Sequence, residues 1–209
     1  ELRAYLADRR KGTRGLSPRS LAQVISAVRS FHRFLDRLLG VANATVSLVR
    51  GPRVPMGVPR PVTEDQARGL IEEADSDPDL EPWEAARDAA LLTLLYGCGL
   101  RISEALALKR RDLPLGPSLR VLGKGSKTRL APVLPQVADA VQAYAEALPF
   151  ALEAVDALFR ARRGGPYPAR RAQALMQRLR GRLGLPASAT PHALRHSFAT
   201  HLLGAGADL

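Results

Sequence analysis

Four basic side chains in this chain of 209 residues sit in settings that suit chemistry on a phosphate: Arg101, Lys124, His192 and Arg195. Two belong to the stretch Thr190-Pro191-His192-Ala193-Leu194-Arg195-His196-Ser197-Phe198-Ala199-Thr200-His201-Leu202-Leu203. Thr190 suits an N-cap and Pro191 a first helical position, so a helix is expected to start there. Leu194, Phe198 and Leu202 recur every four residues and form its expected buried stripe. His192 and Arg195, three apart, share the face of the first turn, where free backbone N–H groups and the helix dipole favour an anion. A guanidinium fork beside them can grip two phosphate oxygens. Taken alone, the pattern equally describes a capping histidine and a solvated arginine.

The second stretch is Tyr96-Gly97-Cys98-Gly99-Leu100-Arg101-Ile102-Ser103-Glu104-Ala105-Leu106. Its glycines break a helix, and Arg101 opens a short new one. A guanidinium just after a glycine turn is held rigidly, as phosphoryl transfer requires. The alternative is a structural arginine paired with Glu104, three residues on. Together the two stretches resemble the tyrosine recombinase (phage integrase) family, most closely its bacterial chromosome-dimer-resolving Xer branch. The likeness runs from the helix after Ser17 to Leu209. It implies that Arg101, His192 and Arg195 are catalytic.

Between two short alternating segments lies Gly123-Lys124-Gly125-Ser126-Lys127, which resembles the G-K-G-x-K-x-R hairpin of the Xer branch. There the lysine between the glycines is the catalytic one, which carries over to Lys124, with Lys127 as the runner-up. The G-x-x-x-x-G-K-[ST] spacing of a nucleotide-binding loop is absent. The implied reaction cuts and rejoins DNA through a 3′-phosphotyrosine. Two arginines would meet the charge on the equatorial oxygens without a metal, Lys124 would protonate the leaving 5′-oxygen, and His192 would handle a proton. No metal or cofactor is expected, since the acidic residues are scattered with no convergent ligand set. Tyr5, Tyr96, Tyr144 and Tyr167 occupy no position matching the family's nucleophile. That tyrosine is expected beyond Leu209, so the 209 residues alone are not expected to cleave DNA.

Composition points to the same partner. A net charge of +11 and a sequence pI near 10.9 favour a polyanion. The apolar fraction of 46% is that of a globular protein. The single cysteine, Cys98, excludes an internal disulfide framework and suits a reducing cytosol, so a cytoplasmic location is expected. It has no local histidine partner and reads as packing. The longest apolar run, Ala89 to Tyr96, is too short to span a membrane.

The elements that must position these groups follow in order. Glu1 to Arg9 reads as the end of a helix already under way, so the chain is expected to lack its natural beginning. Ser17-Pro18 starts a long helix carrying Leu21, Val24, Ile25, Val28, Phe31, Leu35 and Leu38, with Gly40 as its stop. Its other face offers Arg19, Arg29, Arg33 and Arg37. Residues 51–61, with prolines and glycines throughout, form a semi-extended linker. Thr63-Glu64-Asp65-Gln66 is a capping box, and Trp83 to Tyr96 is apolar on most sides, hence central. Leu119 to Leu122 and Thr128 to Val133 are expected strands, joined by Asp112 to Leu115 in a three-stranded antiparallel sheet. Pro135 to Leu148 and Pro168 to Leu183 are further helices, the second with Arg170, Arg171 and Arg178 outward.

The expected fold is therefore mainly α with a small three-stranded antiparallel β-sheet. The resemblance implies a two-lobed DNA clamp: a helical, SAM-like core-binding domain over 1–50, incomplete, a linker over 51–61, and an α+β catalytic domain over 62–209, incomplete at its C-terminal end. Expected DNA contacts are Arg19, Arg29, Arg33, Lys127, Arg129, Arg170, Arg171 and Arg178, since phosphate contacts supply most affinity. The implied partners are double-stranded DNA, a second recombinase subunit in a homo- or heterotetramer, and a cell-division DNA translocase, with no membrane. Alternatives are a phage or transposon integrase of the same family, a DNA-binding protein without a nucleophile, and a related strand-passing topoisomerase. The G-L-R-x-S-E stretch and the small helical N-terminal region favour the recombinase over the topoisomerase.

Overall fold

The computed structural model describes residues 2–10, 15–53, 62–122 and 128–204. By its contacts the chain divides into two units, Glu1–Val58 and Pro59–Leu209. Most of the expected linker, residues 54–61, lies outside the described residues.

The first unit holds α1 (Leu2–Arg9), α2 (Pro18–Leu39) and the single turn α3 (Ala44–Ser47). Its long helix starts and stops where the sequence predicts. The Ser17 hydroxyl accepts the Ser20 backbone N–H at 3.1 Å, and Pro18 occupies the first turn. Gly40 closes the helix with φ +65° and gives its N–H to the Asp36 carbonyl. Leu21 and Ile25 are buried, as are Val46 and Val49. Further along the expected apolar stripe, Phe31 and Leu38 are instead exposed, as is Phe34.

In the second unit α4 (Glu64–Asp75) begins with the expected box: Gln66 N–H donates to Thr63 Oγ1 at 3.2 Å, and Thr63 N–H to Gln66 Oε1 at 3.1 Å. Next comes α5 (Pro82–Gly97), the axis of this unit. Leu91, Leu94 and Leu95 enter one core with Leu100, Leu119, Val121, Val137, Val141, Tyr144 and Phe159. Ala89 and Leu92 enter another with Leu70, Leu175, Met176, Leu179 and Leu194. A helix shared by two cores must be apolar nearly all round, which is what its sequence shows. Its first turns also bury an ionic cluster. Arg87 reaches Asp88 at 2.8 Å and Glu84 at 3.4 Å, and its guanidinium lies 4.3 Å from the Tyr167 ring centroid.

After the short α6 (Ile102–Leu106) come β1 (Ser118–Leu122) and β2 (Thr128–Pro132), paired antiparallel with Leu119 opposite Ala131 and Val121 opposite Arg129. The expected third strand does not form among the described residues. Arg110–Asp112 is a 3-10 turn, and the backbone leading into it bonds instead to residues 154–158. Leu158 N–H donates to Leu108 O at 2.8 Å and Arg110 N–H to Asp156 O at 3.0 Å. Pro114 and Pro117, lacking N–H donors, discourage a strand in between. The remaining helices are α7 (Pro135–Ala147), α8 (Ala169–Arg182) and α9 (Pro191–Gly204).

Candidate active site

Two features bring α9 to the turn after α5. Thr190 caps α9 as expected, its Oγ1 accepting the Ala193 N–H at 3.2 Å, and Leu194 anchors the helix, fully buried. Phe198 then lies over Gly99, where an added Cβ would stand 2.6 Å from Phe198 Cδ1. Gly99 also has φ +58°, so both the backbone and the close approach call for glycine.

Arg101 leaves this turn as the cap of α6. Its backbone N–H donates to Glu104 Oε2 at 2.8 Å and its Nη1 to Oε1 at 2.6 Å, so the pairing weighed as an alternative is present. Glu104 is not Arg101's alone. Arg195 of α9 donates through Nη1 to Oε2 at 3.3 Å, and Arg129 of β2 through Nη2 to the same oxygen at 2.8 Å. The carboxylate is 6% exposed, whereas the Arg101 side chain is 52% exposed. Among the described residues, three positive charges against one negative leave a surplus of two around a buried centre. Burial alone would raise the Glu104 carboxyl. The Arg101 hydrogen bonds and the Arg129 charge overcome it and hold the group below its ordinary range.

His192 is exposed at the start of α9, its Nε2 2.9 Å from Nε2 of His196 one turn on. Partial burial, His196, Arg195 and Arg101 all lower its pKa, favouring a neutral ring. A neutral imidazole near guanidinium groups can accept a proton. Arg195 is also lowered, by burial and the Arg101 charge, with Glu104 opposing. An arginine nonetheless stays protonated at working pH.

Arg101, Arg195 and His192 are thus brought together, while Lys124 and Lys127 lie outside the described residues. Of the expected DNA contacts, Arg19 and Arg33 are exposed on α2, and Arg170 and Arg171 on α8. Three others are engaged with protein groups. Arg29 donates to the Val49 carbonyl at 2.6 Å, Arg129 holds Glu104, and Arg178 reaches Asp77 at 3.0 Å and Asp88 at 3.6 Å. Sequence reading saw Glu104 only as a local partner of Arg101, and missed Arg129 and His196 as members of this cluster.

Cys98 is buried beneath the turn, and burial pushes its thiol up to about 11, so it is no nucleophile. Tyr144 is buried, its hydroxyl bonded to the Leu158 carbonyl and the Arg160 N–H. The Tyr167 hydroxyl donates to Asp88 at 3.3 Å, and the Tyr96 hydroxyl pairs with His201 Nδ1 at 2.9 Å. In the first unit, Tyr5 accepts from Arg9 Nε at 3.2 Å. Among the described residues no three His, Cys, Asp or Glu side chains gather as metal ligands, and no helix is long and apolar enough to cross a membrane.

The sequence model of the phage integrase family matches residues 60–209. The chain belongs to the phage integrase family. It is 53% identical over 211 residues to the tyrosine recombinase XerC of Brucella suis biovar 1 (strain 1330), covering 100% of this chain and 66% of that protein. It therefore spans about 66% of the length of the curated relatives it matches. Among solved structures, the XerH site-specific recombinase bound to palindromic difH substrate aligns with TM-score 0.72 and 22% identity, over 99% of this chain and 59% of that one. The Tn1549 transposon integrase (R225K) in complex with a circular intermediate DNA aligns with TM-score 0.72 and 21% identity, over 99% and 73%. At that identity the two structures support the integrase-family fold alone.

Proposed function

We propose that this phage integrase-family chain belongs to a site-specific DNA recombinase that cuts and rejoins duplex DNA through a 3′-phosphotyrosine and resolves chromosome dimers in the cytoplasm at cell division. One observation carries the reading: Arg101 and Arg195, distant in sequence, converge on Glu104 with His192 beside them. That is a surplus of fixed positive charge with a proton acceptor at its edge. In the first step a tyrosine oxygen bonds to phosphorus and gives up its proton to His192. The P–O5′ bond breaks, and Lys124 supplies the proton that the 5′-oxygen takes. Arg101 and Arg195 stabilise the charge on the equatorial oxygens. The reverse attack by a 5′-hydroxyl rejoins the strand, so no ATP is consumed.

The same reading makes residues 1–50 a core-binding lobe that closes with the catalytic lobe around DNA. Arg19, Arg33, Arg170 and Arg171 would meet phosphates there. The partners are a second recombinase subunit in a tetramer on DNA and a cell-division DNA translocase. The 53% identity to a XerC supports this role over that of a mobile-element integrase. The test uses the full-length gene product on a nicked DNA substrate that traps the covalent adduct. Arg101→Ala and Arg195→Ala are each expected to keep most DNA binding and to lower adduct formation by about a hundredfold to a thousandfold. Equal losses of binding and adduct would make these arginines ground-state phosphate grips, and no adduct with the wild-type protein would end the recombinase reading.

A further inference from the structure

The Glu104 carboxylate presents a difficulty for a site that must bind phosphate. At 6% exposure it cannot turn to water, and among the described residues its four hydrogen bonds all come from arginines: the Arg101 backbone, then the Arg101, Arg129 and Arg195 side chains. If Arg101 and Arg195 must both turn to a phosphate, a buried negative charge competes with that phosphate for them. A buried carboxylate stripped of its cations is strongly unfavourable. We infer that Arg129 is a positioning residue, the standing counter-ion of Glu104, whose hold on that carboxylate frees Arg101 and Arg195 for the scissile phosphate.

The geometry separates the three arginines. Arg129 issues from a strand, paired opposite Val121, so its backbone is fixed by the sheet. Its Nη2 makes the 2.8 Å contact to Oε2 and also lies 3.5 Å from the Gly99 carbonyl, a second anchor on the same turn. Arg195 meets the same oxygen at 3.3 Å, a longer bond that is more readily exchanged for a phosphate oxygen. Arg101 holds Glu104 twice, and its backbone N–H can keep Oε2 while its half-exposed guanidinium swings away. Arg129 is therefore the group best placed to stay. This role differs from the direct phosphate contact that its charge and position suggest in the sequence.

The inference rests on the recombinase reading, and the experiment separates the two. In the full-length gene product, single-turnover adduct formation at saturating DNA is compared for wild type, Arg129→Gln, Glu104→Gln, the double variant and Arg129→Lys. Arg129→Gln is expected to slow adduct formation about tenfold to a hundredfold, with DNA affinity and its salt dependence unchanged. Once Glu104 is neutral no counter-ion is needed, so in the Glu104→Gln background the same change is expected to cost less than about threefold. Arg129→Lys, which keeps the charge, is expected to retain most of the rate. A merely structural Arg129 would cost the same in both backgrounds, and that result overturns the inference. So does a salt slope lowered by about one, the mark of a lost phosphate contact. Should Glu104→Gln alone abolish the adduct, Arg129→Lys decides: a loss equal to that of Arg129→Gln refutes the counter-ion role. A wild-type protein that forms no adduct removes the recombinase reading and the inference with it.

Discussion

Gly99→Ala tests whether the turn after α5 is what seats α9. Two separate costs meet at this position. Alanine at φ +58° is held in the left-handed region, which costs about 1–2 kcal/mol. Its methyl group would also sit 2.6 Å from Phe198 Cδ1, with further ring atoms at 3.1 and 3.3 Å. Pushing the ring aside in a packed site adds about 1–3 kcal/mol. Gly184 supplies the control within the same unit: its φ is +62° but nothing lies within 4 Å of an added Cβ. Gly184→Ala should therefore destabilise by about 1–2 kcal/mol and Gly99→Ala by about 2–5 kcal/mol in urea unfolding of the 209-residue chain. Removing the ring isolates the second cost. In a Phe198→Ala background, Gly99→Ala should lose the packing part and match Gly184→Ala to within about 0.5 kcal/mol. If the two glycine variants are equally destabilised with Phe198 in place, Phe198 does not press on the turn, and α9 is held some other way.

Two further predictions concern charge. The double variant Arg170→Gln/Arg171→Gln, on the exposed start of α8, should lower the slope of log affinity for duplex DNA against log salt by about two. Arg178→Gln should leave that slope alone and lower stability, because it takes one cation from each of the buried Asp77 and Asp88, which Arg182 and Arg87 also hold; fluorescence anisotropy between about 50 and 200 mM salt distinguishes them, and equal slopes for all three proteins refute the assignment. The second concerns pH. His192 is lowered in the folded chain, so the unfolded chain takes up its proton first, and stability falls as pH drops below about 6.5. Glu104 is also lowered, so its stabilisation is complete above about pH 4.3 and is lost as pH falls through its folded value. Urea midpoints measured against pH should show the first loss missing in His192→Gln and the second missing in Glu104→Gln; unchanged profiles in both contradict these signs.

What was legible in the sequence follows the range of the interactions. The ends of α2, α4 and α9 are set by residues within four positions, Ser17 with Ser20, Thr63 with Gln66 and Thr190 with Ala193, so local chemistry announced them. The central place of α5 was readable because a helix between two cores must be apolar on most faces. The third strand was misjudged because the partner of residues 108–110 lies about fifty residues on, around Asp156 and Leu158, and nothing local signals it. Charged residues were the least legible. Arg29 and Arg178 look like an outward basic stripe, but one grips a carbonyl and the other carboxylates drawn from other elements. Charge alone does not tell a phosphate ligand from a structural counter-ion.

The same limit explains why Glu104 looked minor and proves central. From sequence, its visible relation is to Arg101 three residues away. Arg129 and Arg195 arrive from β2 and α9, 25 and 91 positions distant, so no local stretch contains the cluster. Its consequence is electrostatic. A phosphodiester carries one negative charge in the ground state, and roughly one more develops as the attacking tyrosine oxygen bonds to phosphorus. In the proposed reaction the surplus of two positive charges that the described side chains leave around Glu104 is available to meet that added charge, beside the proton assigned to Lys124. A buried acid among these arginines thus acts for the proposed reaction by setting how much of their charge is left over.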